Sequence, residues 1–261
     1  MPSAPADELI GTAVSSPCAV DETPDVETSS DDYASRFRGA AGRYLLSMQA
    51  WSVARALAGV PPGSALDVGG AHGQLLEVLR ALGWQVTVHG TTSECETNLR
   101  KRHELERPFL QGPLHPLPVA DGSFDLVISV RLLPHVSQWS RLIGEMCRAS
   151  RGSVIVDYPS KGGLNALTPL LFGLKKSLEG NTRTYRSFSR AELARELASR
   201  GFQIERQVKQ FSLPMVLHRV GRGAAPLRAV EGIARFTGLT ALIGSPVVLR
   251  ADRRGLSGGK Q

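Results

Sequence analysis

The sequence predicts an α/β protein built on an open, doubly wound, mostly parallel sheet. Short apolar runs alternate along the chain with helical segments of about ten to fifteen residues. A glycine-rich turn follows the first of these runs and opens a helix, the context in which such a turn meets a ligand. The strand–helix units are too few for a closed eight-fold barrel.

The elements follow in order. Residues 1–32 hold eight acids and no Lys or Arg, are rich in Pro, Ser and Thr, and show no apolar period. They read as a disordered acidic leader, leaving 33–261 as one folded domain. From Tyr33 to Ala58 the chain is Ala-rich, with apolar side chains three or four apart, and reads as one or two helices broken near Gly39 and Gly42. VPPG at 60–63 stops it. SALDVGG is a strand running into glycines, residues 74–83 a helix ending at Gly83, and WQVTVHG a second strand. Residues 93–105 read as a helix with Ser93 and Glu96 at capping-box spacing. A turn and buried strand at 121–130, a helix at 136–149 and a strand at 152–159 come next. Residues 189–201 form a helix with Ser189 and Glu192 at cap spacing, followed by strands at 202–208 and 246–252.

The 261 residues carry 31 Lys and Arg against 24 Asp and Glu. Beyond residue 32 the balance is +15, a body that attracts anionic partners. Three widely spaced cysteines, Cys18, Cys95 and Cys147, argue against a disulfide framework and a Cys-type zinc site, so the expected compartment is the cytoplasm. There is no run of eighteen apolar residues to span a bilayer, and MPSAPADELI has no basic start for a secretory signal.

The sharpest motif is LDVGGAHG, Leu66–Gly73. Gly69 and Gly70 let the chain turn sharply and approach a ligand, Gly73 allows a close helix start, and Asp67 sits just before the loop. It lacks the Gly-Lys-Ser/Thr of a P-loop and departs from G-x-G-x-x-G.

This pattern resembles the class I S-adenosylmethionine-dependent methyltransferases, of the type 11-like group. Their signature, roughly D-x-G-x-G-x-G after the first strand, is matched by Asp67, Gly69, Ala71 and Gly73. LPVADGSFDLVISVRLLPHV resembles the stretch through the fourth strand, LIGEMCRASRGSVIVDYPS the next helix and strand, and YRSFSRAELARELASRGFQIE the segment before the sixth strand. The resemblance implies a seven-stranded Rossmann-like sheet with one antiparallel strand, and S-adenosylmethionine as cofactor. It implies a cofactor site of Asp67, Gly69, Gly70, Ala71, Gly73, Gly90 and Thr91, closed on the other side by the loop after Val130. The chain departs from the family at Gly90, where an acid usually holds the ribose, at Ala71 in place of the middle glycine, and at Pro113 in the adenine region.

Methyl transfer asks the protein to align an acceptor with the cofactor and to exclude water. His135, beyond the fourth strand, is the candidate general base, or else a capping imidazole. Tyr158, after the fifth strand, lines the same cleft or packs, and Asp157 reads as a local turn residue. Residues 161–189 read as an acceptor-side lid, with Leu164, Leu167 and Phe172 facing a hydrophobic acceptor and Lys175, Lys176, Arg183 and Arg186 an acidic group. His218 and Arg219 form another polar pair. The expected acceptor is a small molecule, lipophilic or anionic. The rival readings are a nucleic-acid methyltransferase, favoured by the basic body, and a binding protein that kept the fold and lost the transfer. No metal site, glycosidase carboxylate pair, G-x-S-x-G or H-E-x-x-H pattern stands in the chain.

Overall fold

A computed structural model describes residues 22–162, 185–213, 217–218 and 225–255. The sheet begins with β1 (Ser64–Val68) and β2 (Gln85–Gly90), joined by α4 (Leu76–Ala81). Then follow α5 (Ser93–Arg100), the short β3 (Leu110–Gln111), β4 (Phe124–Ser129), α6 (Trp139–Ala149) and β5 (Ser150–Tyr158). α7 (Arg190–Ser199), β6 (Phe202–Phe211), α8 (Ala225–Phe236), α9 (Leu239–Ile243) and β7 (Ser245–Arg253) complete it. The seven strands run in the order β3-β2-β1-β4-β5-β7-β6. Every pairing is parallel except those of β7, which lies antiparallel between β5 and β6.

Alternating side chains build two cores, one on each face. Leu66, Val127, Val154 and Val156 meet Leu142, Ile143 and Met146 of α6 and Leu193 and Leu197 of α7. Their neighbours Ala65, Leu126, Ile128 and Ile155 turn the other way, onto Leu76 and Leu79 of α4 and Val53, Ala56 and Leu57 of α3 (Gly39–Leu57). A strand that feeds both cores must be apolar throughout, which is why β1, β4 and β5 read as near-continuous apolar runs.

Two local expectations shift. The N-cap of α5 is Thr92, whose hydroxyl accepts from the Cys95 amide at 3.4 Å, so Ser93 and Glu96 form no capping box there. The box at Ser189 and Glu192 is present in both directions. Order also reaches back before Tyr33, correcting the boundary of the leader. Pro24–Ser29 forms α1 and Asp31–Ser35 forms α2, with Asp25, Thr28 and Ser29 buried. The reason is polar: Asp25 and Glu22 find backbone donors on the body, which composition cannot reveal. Residues 1–21 and 163–184, and with them most of the leader and the lid's leucines and lysines, lie outside the described residues, as does Arg219. Arg186, expected among the lid's free cations, instead pairs with Glu192 at 3.1 Å and stacks on Trp139 and Phe188. His218 is buried against Tyr44 and Phe211 and bonds Glu231 at 3.1 Å, a packing role.

Candidate active site

Parallel strands bring their C-terminal ends to one edge, and the order reverses between β1 and β4, where open α/β sheets hold ligands. Val68 pairs in register with His89, and Asp67 with Ile128, so the residues after β1, β2 and β4 emerge side by side. The Ser129 hydroxyl, fully buried, donates to the Val68 carbonyl at 2.9 Å and ties the ends of β4 and β1 together.

The turn after β1 is shaped by what lies beneath it. Gly69 has φ of +66°, the left-handed region that favours glycine. Gly70 is needed for a different reason than a sharp turn, because its φ is not positive. A β-carbon there would lie 2.1 Å from the Asp67 carboxyl carbon. The loop therefore folds directly over Asp67, whose carboxylate is fully buried and has no hydrogen-bond partner on either oxygen. Burial pushes this carboxyl up to about 8, so it is stored as an acid at neutral pH. Ala71 is completely buried, and the Gly73 amide closes the turn on the Gly70 carbonyl at 2.8 Å. His72 accepts from the Gln74 amide at Nδ1, which leaves Nε2–H to donate to the Val130 carbonyl at 3.3 Å. Burial, aided by Arg131, lowers its pKa to about 4, so the ring is a neutral strut between this loop and β4.

Beyond Val130, Arg131 adopts φ of +64° without being glycine. Its amide donates to Asp157 at 2.6 Å, its Nε to Gln49 at 2.6 Å, and its guanidinium lies 4.6 Å over the Phe37 ring. Gln49 in turn donates to Gln74 of the β1 loop at 3.3 Å. Side chains from α3, β5 and two loops thus fix one strained backbone at the crevice, the usual setting for such strain. Burial raises the Asp157 carboxyl, against the Arg131 amide that lowers it. Asp157 is therefore a buried anchor for Arg131 and no turn residue.

The end of β2 holds the largest surprise. Gly90 supplies no acid, but Asp25 of α1 brings one. Its carboxylate accepts from the Thr91 amide at 2.7 Å and the Thr91 hydroxyl at 2.5 Å, with the Cys95 thiol at 3.4 Å. One of its oxygens lies 3.4 Å from where a Gly90 β-carbon would stand, a space also bounded by Phe109 and Cys95. Three residues earlier, Glu22 accepts from the Ser137 amide and hydroxyl at 2.7 and 2.6 Å and from the Gln138 amide at 3.0 Å. Burial opposes its ionisation, but these donors outweigh it and hold the carboxyl below its usual range. Residues 22–25 thus bridge from the start of α6 to the end of β2.

The two expected catalytic residues part company. His135 is half-buried on a single 3₁₀ turn, Leu133–His135, just past β4, with its ring 5.7 Å from that of Tyr185. Tyr158 is 2% exposed in the core on the α6–α7 face, and its hydroxyl accepts from Gln207 at 3.3 Å. Burial pushes the phenol up to about 12, so Tyr158 packs and does not line the crevice. Asp25, Gln49 and Arg131 are the crevice residues that local sequence patterns miss.

A profile described as a methyltransferase domain matches residues 66–156, from β1 to β5. Over these residues the chain is similar to a methyltransferase domain. Two curated relatives share it. Malonyl-[acyl-carrier protein] O-methyltransferase of Pectobacterium atrosepticum is 29% identical over 160 residues, covering 59% of this chain and 61% of that protein. Norajmaline N-methyltransferase of Rauvolfia serpentina is 33% identical over 102 residues, 36% of this chain and 35% of that one. The chain therefore spans about three-fifths and about one-third of the length of these relatives. Among solved structures, magnesium protoporphyrin IX methyltransferase from Synechocystis PCC 6803 with bound SAH superposes with a TM-score of 0.60 at 16% identity, over 85% of this chain and 93% of that one. The [4+2]-cyclase SpnF superposes with a TM-score of 0.51 at 19% identity, over 78% and 79% of the two chains. At these identities the structural likeness is one of fold, and the chain must be read for function from its own crevice.

Proposed function

We propose that this protein is an S-adenosylmethionine-dependent methyltransferase acting on a small-molecule acceptor. The observation that carries the reading is the buried, unpartnered Asp67 carboxyl beneath a glycine turn, at the point where the strand order reverses. An orphaned acid of this kind fits a ligand bearing an amino group, since a cation arriving beside it would draw off its proton and repay its desolvation. The cofactor has such a group, and when bound it supplies an electrophilic methyl on a sulfonium.

The chain's own residues do the rest. The turn at Gly69 and Gly70 gives the ligand close backbone approach, and His72 and Arg131 hold that turn against the end of β4. Asp25 fixes the Thr91 amide and hydroxyl, and so the rim of the crevice after β2 where nucleosides are held in such sheets. This carboxylate stands beside the gap left by Gly90 but is spent on Thr91, so it shapes the rim without supplying the missing acid. His135 is the imidazole placed to accept a proton from a hydroxyl or amine acceptor. The acceptors that the relatives' names give, a malonyl group on acyl-carrier protein and norajmaline, favour a small acceptor group over nucleic acid.

Calorimetric titration with S-adenosylhomocysteine, S-adenosylmethionine and NAD tests the cofactor. Binding of the first two in the micromolar range, with none of NAD, is expected. Absence of sulfur-ligand binding at millimolar concentration would overturn the reading.

A further inference from the structure

Helices α8 and α9 dock onto the body by a polar inner side and leave their apolar side outward. Glu231 is fully buried, where it accepts the Ser212 and Leu213 amides at 2.9 Å each and meets His218. On the outer side Val230, Ile233 and Phe236 are 47, 64 and 94% exposed, and Leu239 and Leu242 are 44 and 75% exposed. Contiguous exposure of this kind marks an interaction surface.

The rim of the surface is basic. Arg228 is exposed and lies 5.1 Å over Tyr44, while Arg235, turned inward to donate to the Gln210 carbonyl at 2.9 Å, lies 4.8 Å over the ring of Trp51, itself 39% exposed. Trp51 stands on α3 in an exposed i, i+4 line that runs Arg43, Ser47, Trp51 and Arg55. Helix α3 contains no acidic residue, and the buried Glu231 is the only acid between 225 and 244. The surface therefore combines large apolar side chains with three exposed arginines, Arg43, Arg55 and Arg228, and exposes no carboxylate of these helices.

That combination selects among occupants. Pairing two copies through this face would bring arginine rims together, and like charges repel. Nucleic acid would meet the arginines but strand Phe236 and the aliphatic side chains against polar backbone. An anionic lipid surface satisfies both: apolar side chains enter the boundary of the acyl region, arginines meet the headgroups, and Trp51 sits at the interface. No helix among the described residues is long and apolar enough to cross a membrane, so the contact is a surface one. We propose that α8, α9 and the outward line of α3 dock this protein on the surface of an anionic lipid bilayer. The inference stands apart from the methyltransferase reading.

Co-sedimentation of the full chain with vesicles tests it, using mixed phosphatidylglycerol and phosphatidylcholine beside phosphatidylcholine alone. Binding to the mixed vesicles, weakening with added salt, is expected, with little to phosphatidylcholine alone. Phe236→Glu combined with Leu242→Glu should lower partitioning about tenfold or more while leaving the melting temperature unchanged, because both side chains face solvent. Arg43→Ala with Arg55→Ala should lower it about threefold or more and flatten the salt dependence. Failure of the wild type to bind mixed vesicles overturns the proposal, as does equal binding by the Glu variant. Dimerisation in sedimentation equilibrium, lost in the Glu variant and without vesicle binding, would assign the face to a second copy and equally overturn it.

Discussion

Two buried carboxylates flank the crevice and are treated in opposite ways. Asp67, at the end of β1, has no partner on either oxygen and is pushed up to about 8. Asp25, delivered by α1 to the end of β2, is equally buried but accepts an amide and a hydroxyl from Thr91. The first is held as an acid with unspent capacity for a cationic partner. The second is consumed by the fold, and its task is to position. Burial alone thus does not identify a binding carboxylate; burial without partners does.

Gly70→Ala should break this contrast most severely. Its methyl would stand 2.1 Å from the carboxyl carbon of the fully buried Asp67. A loss of about 3 kcal/mol or more in denaturant unfolding is expected, with loss of S-adenosylhomocysteine binding. Wild-type stability would show that Asp67 is not trapped.

Asp67→Asn sharpens the contrast through pH. A carboxyl raised to about 8 in the folded chain stabilises it below the unfolded pKa near 4, and that contribution is lost as pH rises through about 8. The wild type without ligand should therefore lose on the order of a few kcal/mol across this window beyond what the Asn variant loses. Parallel unfolding free energies for the two proteins from pH 4 to pH 8 would refute the buried acid.

Asp25→Ala leaves the Thr91 amide and hydroxyl without an acceptor. It should cost about 2 kcal/mol of stability and weaken S-adenosylhomocysteine about tenfold by calorimetry. Tighter binding would instead make the N-terminal segment a competitor of the ligand. Tyr158→Phe removes one hydrogen bond of 3.3 Å to Gln207. Its expected effect is the smallest, under about 1 kcal/mol in stability and within about twofold in kcat once an acceptor is found. A hundredfold fall in kcat would return the phenol to the chemistry.

What could be read from the sequence was local. The glycine turn, its Asp67 and the alternation of strands and helices all lie in short contiguous stretches, and their physics acts over a few residues. Asp25 could not be read this way, since 66 residues separate it from Thr91 and its neighbours are acids without apolar period. Tyr158 failed on parity: Val154, Val156 and Tyr158 face one core, while Asp157 between them turns to Arg131. Knowing that a residue follows a strand does not say which way it points. The cap of α5 moved by one residue to Thr92, within the ordinary uncertainty of helix ends. Arg131 carries no local sign of its left-handed backbone, because four other elements impose it.

The order of the strands has a consequence for how the molecule is made. β7 follows β5 and β6 along the chain, yet it occupies the interior place between them. During synthesis, β5 and β6 are therefore complete while the gap between them stands open, with two rows of unpaired backbone amides and carbonyls. Those edges invite wrong partners until residues 245–253 emerge. A stalled or truncated chain lacking them would hold the whole glycine turn and still be prone to aggregate, so folding yield should depend on the final strand more than on the crevice.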